Sequence, residues 1–487
     1  MTATDTRPQD VPAPVARRGS RAGWIAVAVW AAGIAAVFAA GWYLRRAGLA
    51  TEDALPPLHA RARSHPLTGR MAPAVAAAAA LVAVLPWAAS RVRWRVLLAV
   101  AWAGAALWAV ALAASDGWGA LARPLDAPTE YPAGLAQVRP DPLEWLRTFT
   151  ERLGGYTTHV RGHPPLPTLT LWALEKAGLP GTGWAAAFVI AAGTSAVAAI
   201  AVTLRCVAGE RAARAAVPFL VLAPLALWVA TAMDAFFLAV GAWGTALTAL
   251  AARRARPAAP DGARRDGTRP AVAAAVAGGV LLGGLPYLSY GLLPLFAVPL
   301  AVLLLIRPRP RVLAGLGAGL VVVPAAFTLL GFWWPDGVRA TLDTYLVSRG
   351  SAQRSYAYFL FGDLAVLALL TGPAVAYALP RTAHVLWRAA RTRAVSPAAA
   401  VALPACAALL GMVVLDLSGV TKGEVERIWV PFAAWLVAAA SLRVTGPVRT
   451  VGSVRTVGSV RADGARWWLA AQAVTALAVQ ALVLSPW

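Results

Sequence analysis

The sequence has little charge, little lysine and little cysteine. Asp, Glu, Lys and Arg together make up 14% of it, whereas hydrophobic residues make up 59%. Soluble domains contain about 25% charged residues, so the composition excludes an ordinary soluble domain. With a mean hydropathy of +0.63, the chain is predicted to be a polytopic membrane protein.

The few cysteines and the missing nucleotide motifs exclude further classes. Cys206 and Cys406 both fall at or inside apolar segments, which is not the pattern of a disulfide framework or a zinc site. The sequence contains no glycine-rich phosphate loop and no soluble nucleotide domain. We therefore expect no ATP-driven pump, and a substrate that arrives within the membrane.

Nearly all of the positive charge is arginine. Lys176 and Lys422 are the lysines, so 42 of the 44 cationic residues are arginine, and the net charge is +22. Such a charge can indicate nucleic-acid binding, but these arginines lie in short clusters between apolar runs. That position is typical of the cytoplasmic loops of membrane proteins, and no nucleic-acid partner is expected.

Apolar runs long enough to cross a bilayer recur along the chain. A span needs about 20 apolar residues, and the sequence predicts about 13 spans, within a range of 12–14. The prediction is an all-α transmembrane helical bundle that forms one domain, 23–487, after a polar N-terminal tail, 1–22. The runs are roughly 24–44, 71–89, 95–114, 183–205, 214–231, 235–252, 271–285, 289–306, 312–332, 357–379, 398–416, 428–445 and 467–485.

The arginine clusters determine the predicted topology, because arginine-rich connections belong on the cytoplasmic side. They alternate correctly with the spans only if 165–178 does not cross fully, and we expect a re-entrant or surface helix there. The prediction is a multi-pass protein of the cell membrane with a cytoplasmic N-terminus and a flexible cytoplasmic loop at 446–465. The outer loops are then 45–70, 115–164, 333–356 and 417–427, and 45–70 is arginine-rich against the rule.

The longest polar interval, 115–164, is predicted to be an outer loop of catalytic type. Within it, Asp141-Pro142 is followed by apolar residues at 143, 146, 149 and 153. This spacing predicts an amphipathic helix over 142–153 with proline in its first turn. Such a helix lies along the membrane surface.

Two acids of this loop are candidate catalytic residues. Asp116 directly follows an apolar run, and Glu130 lies in a rigid stretch between Pro128 and Pro132. Acids at a membrane boundary can bind a divalent cation or take a proton from an acceptor hydroxyl, so Asp116 and Glu130 are also the candidate metal ligands. The alternative for Asp116 is a carboxylate that marks a helix end in water.

A histidine and arginine cluster closes the loop. His159, Arg161 and His163 directly precede Pro164-Pro165. In an extended stretch, alternate side chains point the same way, so these three are predicted to converge on one phosphate, which arginine binds bidentately. The alternative is a basic segment that touches lipid head groups.

Charged residues also occur between later spans. Asp234 lies between two apolar runs, where an acid near membrane depth indicates function, or a plain turn. The loop 417–427 is unusually dense in charge, which predicts anion binding by Lys422 and Arg427 unless the loop is a solvated turn. The further site candidates there are Glu424 and Glu426.

The layout resembles the polytopic GT-C glycosyltransferases, which include the protein O-mannosyltransferases and the lipid A aminoarabinose transferases. The resemblance rests on a large outer loop that opens with an acid (Asp116), a surface helix (142–153) and the motif His163-Pro164-Pro165-Leu166. It covers about 95–380 in layout. The segment Lys422–Trp429 is similar to a late Lys-Gly-Glu-Val-Glu-Arg-Ile-Trp segment in a family of actinobacterial integral membrane proteins.

The resemblance implies inverting transfer of a sugar from a polyprenyl-phosphate donor to a cell-envelope acceptor on the outer face. Asp116 or Glu130 would be the base, with Glu52-Asp53 as a third candidate, because no acid pair opens the large loop. The groups near the donor phosphate would be His159, Arg161, His163, Lys422 and Arg427. The expected partners are the lipid-linked donor and membrane lipids. The alternatives are a transporter or flippase for a lipid-linked or anionic solute, and a membrane protein without turnover.

Overall fold

A computed structural model describes residues 18–49, 53–65, 68–230, 232–255, 268–347, 354–443 and 462–486. Most of the predicted N-terminal tail, Glu52 and most of the predicted loop at 446–465 lie outside these ranges. Helices dominate the described residues. The α-helices are α1 (Arg18–Arg46), α2 (Ala72–Arg91), α3 (Trp94–Ala114), α4 (Tyr131–Val138), α5 (Pro142–Arg147), α6 (Thr158–Gly162), α7 (Leu166–Lys176), α8 (Thr182–Ala208), α9 (Glu210–Val221), α10 (Asp234–Arg254), α11 (Thr268–Leu288), α12 (Ala297–Ile306), α13 (Pro310–Leu329), α14 (Trp334–Val347), α15 (Tyr356–Thr371), α16 (Pro373–Thr392), α17 (Pro397–Ser418), α18 (Val425–Ile428), α19 (Val430–Val437) and α20 (Ala462–Leu482).

Short elements connect these helices. A two-residue antiparallel pairing joins β1 (Arg61–Ala62) to β2 (Val483–Leu484), with Arg61 opposite Leu484. This pairing attaches the connection after α1 to the end of α20. The 3₁₀ helices are Gly69–Met71, Trp118–Leu121, Arg123–Asp126, Leu153–Gly155, Pro224–Trp228, Tyr290–Phe296 and Ala438–Arg443.

Eight helices of the described ranges are long and apolar enough to cross a membrane, or nine if one bent pair counts as a single span. A helix of 20 residues matches the hydrocarbon thickness of a bilayer and satisfies its own backbone hydrogen bonds there. The chain is therefore an all-α membrane protein. The eight are Arg21–Arg46, Gly69–Arg91, Trp94–Ala114, Thr182–Ala208, Asp234–Arg254, Arg269–Leu288, Pro310–Leu329 and Pro397–Ser418.

Several predicted spans are interrupted. The run 357–379 is not one helix, because α15 and α16 meet at Gly372 with a bend of 103°. Gly372 has φ +76°, a backbone conformation that glycine adopts without strain. The run 214–231 contains α9 up to Val221 and then the 3₁₀ helix Pro224–Trp228. The finer count of about 13 crossings remains a prediction.

The surface helix predicted over 142–153 is shorter than expected. Asp141 caps its start by accepting hydrogen bonds from the backbone N–H groups of Leu143 and Glu144, as the proline position predicts. The helix α5 ends at Arg147, and Thr148 leaves the helical backbone with φ −99° and ψ 12°. Phe149 is fully buried and packs on the Trp145 ring with centroids 5.0 Å apart. The predicted C-terminal half is wrong because the chain turns there to bury its aromatic residues.

Glycine allows the central spans to pack closely. A Cβ at Gly279 on α11 would lie 2.3 Å from the Leu316 carbonyl oxygen of α13, and a Cβ at Gly319 on α13 would lie 2.2 Å from the Val276 oxygen. Small residues at helix contacts are typical of membrane bundles, where close backbone approach stabilises association. Of the candidate spans, α10 is the most buried and α1 the most exposed.

The bundle has two chemically different ends. At one end, Arg214 donates to the carbonyl oxygens of Ala89 and Val92, and Arg253 donates to that of Arg205 at 2.9 Å. These arginine contacts bring together the α2–α3 connection, the α8–α9 connection and the end of α10. We call this the arginine end. The end of α3 and the starts of α8 and α10 therefore lie at the opposite end, which we call the site end.

Candidate functional site

Buried charged groups from separate parts of the chain meet at the site end. Their contacts join the connection after α1, the loop before α7, the start of α10, the start of α15 and the turn before α18. Burying charges is costly unless they are paired and hydrogen-bonded, so turn formation alone does not explain this arrangement. We call the set the ionic cluster: Asp53, His59, Glu130, His159, Asp234, Arg354, Glu424, Glu426 and Arg427.

Arg427 connects the first half of the ionic cluster. One guanidinium nitrogen lies 3.3 Å from Asp234 Oδ2, and the other lies 3.6 Å from Glu424 Oε2 and 2.7 Å from His159 Nε2. The side chains of Arg427 and Asp234 are each 5% exposed. Arg427 is therefore bound by protein carboxylates rather than open to an anion.

The contacts of His159 determine its tautomer. A guanidinium has no acceptor, so His159 Nε2 must accept the hydrogen bond from Arg427. The proton of the neutral ring is then on Nδ1, which lies 3.0 Å from Glu130 Oε1. Glu130, His159 and Arg427 thus form one continuous polar chain.

The segment 159–163 is not extended, so the prediction of three converging side chains is wrong. Residues 158–162 form the short helix α6, which places His159 and His163 one turn apart. His163 Nδ1 donates to the His159 carbonyl oxygen at 3.0 Å. Arg161 is half-exposed, and its carbonyl accepts from Thr341 Oγ1. The chain coils here because the His159 N–H bonds to the Thr129 carbonyl oxygen, which attaches α6 to the loop before α4.

Arg354 connects the second half of the ionic cluster. Its guanidinium lies 3.4 Å from Asp53 Oδ2 and 3.2 Å from Glu424 Oε1. The His59 ring pairs with Asp53, and the His59 backbone N–H donates to Glu426 Oε1 at 3.0 Å. Asp53, from the weaker predicted pair, is buried, and its contact with Arg354 connects it through Glu424 to Arg427 and so to the half of the cluster that contains Glu130.

An unusual turn presents Glu424 to both arginines. Gly419 and Gly423 have positive φ, and Glu424 itself has φ +59°. Non-glycine residues adopt this conformation at a cost, and they do so often at functional sites. The Gly423 N–H donates to Asp363 Oδ1 at 3.1 Å, which fixes the turn against α15. The two guanidinium contacts of Glu424 offset the strain.

Burial and charge separate the pKa values of the neighbouring acids. Burial alone would raise the pKa of Glu424, but the charges of Arg427 and Arg354 outweigh it and lower that pKa to about 2. Burial raises the pKa of Glu426 to about 7, with a contribution from the Glu424 charge. Glu426 Oε2 has no hydrogen-bond partner among the described residues. One acid of the turn is thus ionised, and the other titrates near neutrality.

Tyr131 is a member of the site that the sequence analysis missed. Its ring stacks on His159 with centroids 5.7 Å apart and meets His163 edge to face at 5.5 Å. The side chain is fully buried, and its hydroxyl has no hydrogen-bond partner in the part of the chain described. The only signal in the sequence was its position next to Glu130, in front of Pro132.

Asp116 lies in a different group of contacts. Arg63 donates to both of its carboxylate oxygens at 2.6 Å, and Gln480 donates to Oδ2 at 3.1 Å. Both oxygens are thus bound by side chains that attach the end of α3 to the end of α20. Lys422 is half-buried, and its carbonyl oxygen accepts from Arg354.

The structure brings together several predicted residues and separates others. Asp116 and Arg161 are not among the residues of the ionic cluster, and Lys422 contacts Arg354 through its backbone carbonyl oxygen. Among the described residues, no group of three or more His, Cys, Asp or Glu side chains is arranged to hold a metal ion. The predicted residues that meet in the ionic cluster are Glu130, His159, Asp234, Glu424, Glu426 and Arg427.

No protein-family model matches the sequence, and no curated protein matches it. The geometry of the ionic cluster indicates which chemistry its residues can perform. That geometry offers carboxylates that can accept hydrogen bonds or a proton, beside two guanidinium groups that are already paired.

Proposed function

We propose that the protein is a membrane glycosyltransferase of the GT-C type, which transfers a sugar from a polyprenyl-phosphate donor to a cell-envelope acceptor at the ionic cluster. The observation that supports it most is the meeting of Asp53, Glu130, Asp234 and Glu424 at one end of a membrane bundle. Sugar hydroxyls are recognised by such hydrogen-bonding acceptors, and transfer requires a group that takes a proton. Ionisable residues buried in a membrane protein are costly and typically mark functional sites.

The proposed orientation places the site end outside. Arginine-rich connections favour the cytoplasm, and the arginine end contains Arg91, Arg205, Arg214 and Arg253. The N-terminus would then be cytoplasmic and the protein would lie in the cell membrane. In this arrangement the interrupted segments, such as α15–α16 and the 3₁₀ helix Tyr290–Phe296 with α12, complete the count of about 13 crossings.

Glu130 is the proposed base, because Asp116 is bound by Arg63 and Gln480. In this reaction the acceptor hydroxyl gives its proton to the Glu130 carboxylate. The acceptor oxygen forms a bond to the anomeric carbon of the donor sugar, and the bond between that carbon and the phosphate oxygen breaks. Polyprenyl phosphate leaves with the bonding electrons. His159 contacts Glu130, with Nδ1 at 3.0 Å from Oε1, and thereby positions the carboxylate.

An apolar cavity is suited to the lipid part of the donor. It has a volume of about 560 Å³ and lies between α11, α12, α13 and α17. Its lining is mainly leucine, including Leu282, Leu300, Leu320 and Leu410. The helix α17 lines this cavity and ends at Ser418, and the turn that follows it presents Glu424 to the ionic cluster.

The test is turnover of a labelled donor by the purified protein in nanodiscs. A panel of polyprenyl-phosphate hexoses and pentoses is incubated with cell-envelope acceptors, and transfer is followed by thin-layer chromatography. Glu130→Gln is expected to reduce the rate by roughly 10²–10⁴-fold, because it removes the proton acceptor. Asp116→Asn tests the competing base, and Glu144→Gln, at an exposed position, is the neutral control.

The two candidate bases, Asp116 and Glu130, are distinguished by the effects of their amide variants on transfer and on stability. We expect Asp116→Asn to retain transfer but to unfold at a lower temperature, since Arg63 loses a charged partner. A wild-type protein that transfers no sugar from any donor of the panel would contradict the proposed activity. Transfer that disappears in Asp116→Asn and persists in Glu130→Gln would return the base to Asp116.

A transporter is the second candidate, and the bend at Gly372 favours it. Transport proteins use discontinuous membrane helices, whose ends meet a substrate inside the bundle, and α15 also bears Asp363, which contacts the turn at Gly423. Proteoliposomes distinguish the candidates. Movement of a fluorescent lipid-linked sugar across the bilayer without chemical change would support the transporter over the glycosyltransferase.

A further inference from the structure

Tyr131 combines a buried aromatic contact with an unused polar group. Its side chain is fully buried, yet its hydroxyl has no hydrogen-bond partner among the described residues. A buried polar group without a partner costs about 1–3 kcal/mol. Such groups in native structures call for an explanation, and a ligand that completes the hydrogen bond is one.

The surroundings of Tyr131 indicate the chemistry of that ligand. The carboxylates of Glu130 and Asp234 are hydrogen-bond acceptors. Both lie close enough to the Tyr131 hydroxyl for their negative charges to raise its pKa. His163 uses Nδ1 to donate to a carbonyl, so its Nε2 is also an acceptor. Burial and the Arg427 charge lower the pKa of His163 to about 3, which keeps this ring neutral at ordinary pH.

A region rich in acceptors suits hydroxyl groups better than a phosphate. Carboxylates repel a phosphate, but they accept hydrogen bonds from sugar hydroxyls. The Tyr131 hydroxyl adds a donor to this set, because burial raises its pKa well above the ordinary value and keeps the proton on the oxygen. A sugar hydroxyl both donates and accepts, so it can use both kinds of group.

We propose that the Tyr131 hydroxyl donates a hydrogen bond to a hydroxyl oxygen of the bound sugar, and that Tyr131 is therefore a sugar-binding residue of the site. This inference rests on the proposed glycosyltransferase function and deepens it. It assigns the sugar, rather than the phosphate, to the region between Glu130 and His163. It also differs from the sequence prediction, in which His159 and His163 bind the donor phosphate.

The experiment compares two lipids that differ only in the sugar. Binding of undecaprenyl phosphate and of a panel of undecaprenyl-phosphate hexoses and pentoses is measured in nanodiscs by native mass spectrometry. Tyr131→Phe is expected to weaken the affinity for a sugar-bearing lipid by about tenfold, the value of one hydrogen bond. Its affinity for undecaprenyl phosphate should not change.

Tyr156→Phe is the matched control. The Tyr156 hydroxyl is also buried without a partner among the described residues, but its ring packs on Trp145 and Phe149 rather than on the histidines. We expect this variant to bind both lipids as the wild type does. The unliganded Tyr131→Phe protein should unfold at the same temperature as the wild type or at a higher one, because it loses no protein hydrogen bond.

The outcomes are distinguishable. Equal binding of the sugar-bearing lipid by wild type and Tyr131→Phe overturns this inference alone, and so does a loss of affinity that is the same for both lipids. A lower unfolding temperature of unliganded Tyr131→Phe also overturns it, since the hydroxyl would then have a structural role. If the wild type binds no lipid of the panel, the proposed donor class is wrong, and this inference is overturned with it.

Discussion

Two acids of the ionic cluster, Glu424 and Glu426, have pKa values shifted in opposite directions although only one residue separates them in the sequence. Glu424 faces two guanidinium groups, whereas Glu426 has one oxygen bonded to the His59 N–H and the other without a partner among the described residues. Their pKa values therefore move in opposite directions from the ordinary value. This difference gives two variants with opposite effects on the pH dependence of stability.

Glu426→Gln is expected to stabilise the protein at neutral and higher pH. The folded protein keeps the Glu426 proton up to about pH 7, whereas the unfolded chain loses it near the ordinary value of 4.5. Wild-type stability therefore falls as the pH rises through this window. Glutamine has no charge to bury, so the variant should gain about 3 kcal/mol relative to the wild type by about pH 8. Thermal unfolding in detergent micelles from about pH 4.5 to pH 8.5 measures it.

Glu424→Gln is the control with the opposite sign. The lowered pKa of Glu424 contributes stability above the ordinary value, and this contribution is lost as the pH falls from about 4.5 toward 2. The Glu424→Gln variant should be less stable than the wild type at neutral pH, with a difference in stability that becomes smaller in acid.

The prediction for Glu426 is contradicted if Glu426→Gln is no more stable than the wild type at about pH 8. Glu426 would then be ionised in the folded protein without an energetic penalty.

The sequence predicts charged members of the site better than their pairing. Glu130, Asp234 and Arg427 could be selected because ionisable residues beside apolar runs are expensive. Arg354 and His59 were missed, since an arginine and a histidine in loops have ordinary surface alternatives. Spacing along the chain cannot reveal that Arg354 meets Asp53, because about 300 residues separate the two partners.

Among the elements, α4 and α6 position Glu130, Tyr131 and His159, and a glycine sets their separation. A Cβ at Gly134 on α4 would lie 2.6 Å from Cγ2 of Val160 on α6. Real Cβ atoms do not approach so closely, and Val160 is itself 1% exposed. Any side chain at position 134 must therefore move one helix away from the other.

Gly134→Ala is expected to reduce turnover more than it reduces stability. Overpacking costs about 1–3 kcal/mol, and a shift of α4 displaces Tyr131 and Glu130 from His159. Turnover of the labelled donor and the unfolding temperature are measured together. The double variant Gly134→Ala/Val160→Ala should recover much of the activity, because it removes the methyl group that collides. Gly154→Ala is the control, since nothing lies within 4 Å of a Cβ there.

Full activity of Gly134→Ala would mean that the contact between α4 and α6 does not control the site.

Among these short elements, the sequence predicted the start of α5 but not its end, and it predicted an extended segment where α6 is helical. Both errors have one cause. Short elements in the large loop are determined by tertiary contacts, such as the burial of Phe149 and the bond from His159 N–H to the Thr129 oxygen.

For the whole molecule, the hydropathy pattern predicted the class of fold. Apolar runs of about 20 residues have few stable alternatives to a membrane helix, and the long helices of the structure begin and end close to the predicted limits. The exceptions are the bend at Gly372 and the 3₁₀ segments. The mean apolar character of a run contains no information about a change of direction within it.

The proposed orientation can be tested by labelling single cysteines from outside intact cells. Cys206 and Cys406 are first replaced by alanine, and one cysteine is then introduced in place of Glu151 or Arg309, which are both exposed. A membrane-impermeant maleimide is expected to label the cysteine at position 151, in the loop of the site end. It should label the cysteine at position 309 only after permeabilisation. The reverse pattern would place the arginine end outside and contradict the proposed topology.

The distribution of the ionic cluster along the chain also affects biosynthesis. Asp53 and His59 follow the first helix, whereas Glu424, Glu426 and Arg427 precede the last ones. During translation Asp53 is therefore inserted long before its partner Arg354 leaves the ribosome, and Asp234 is inserted long before its partner Arg427. Until then these carboxyl groups lack their guanidinium partners. The ionic cluster can form only near the end of synthesis, so a nascent chain that stops before α18 contains the acids of the site without Arg427.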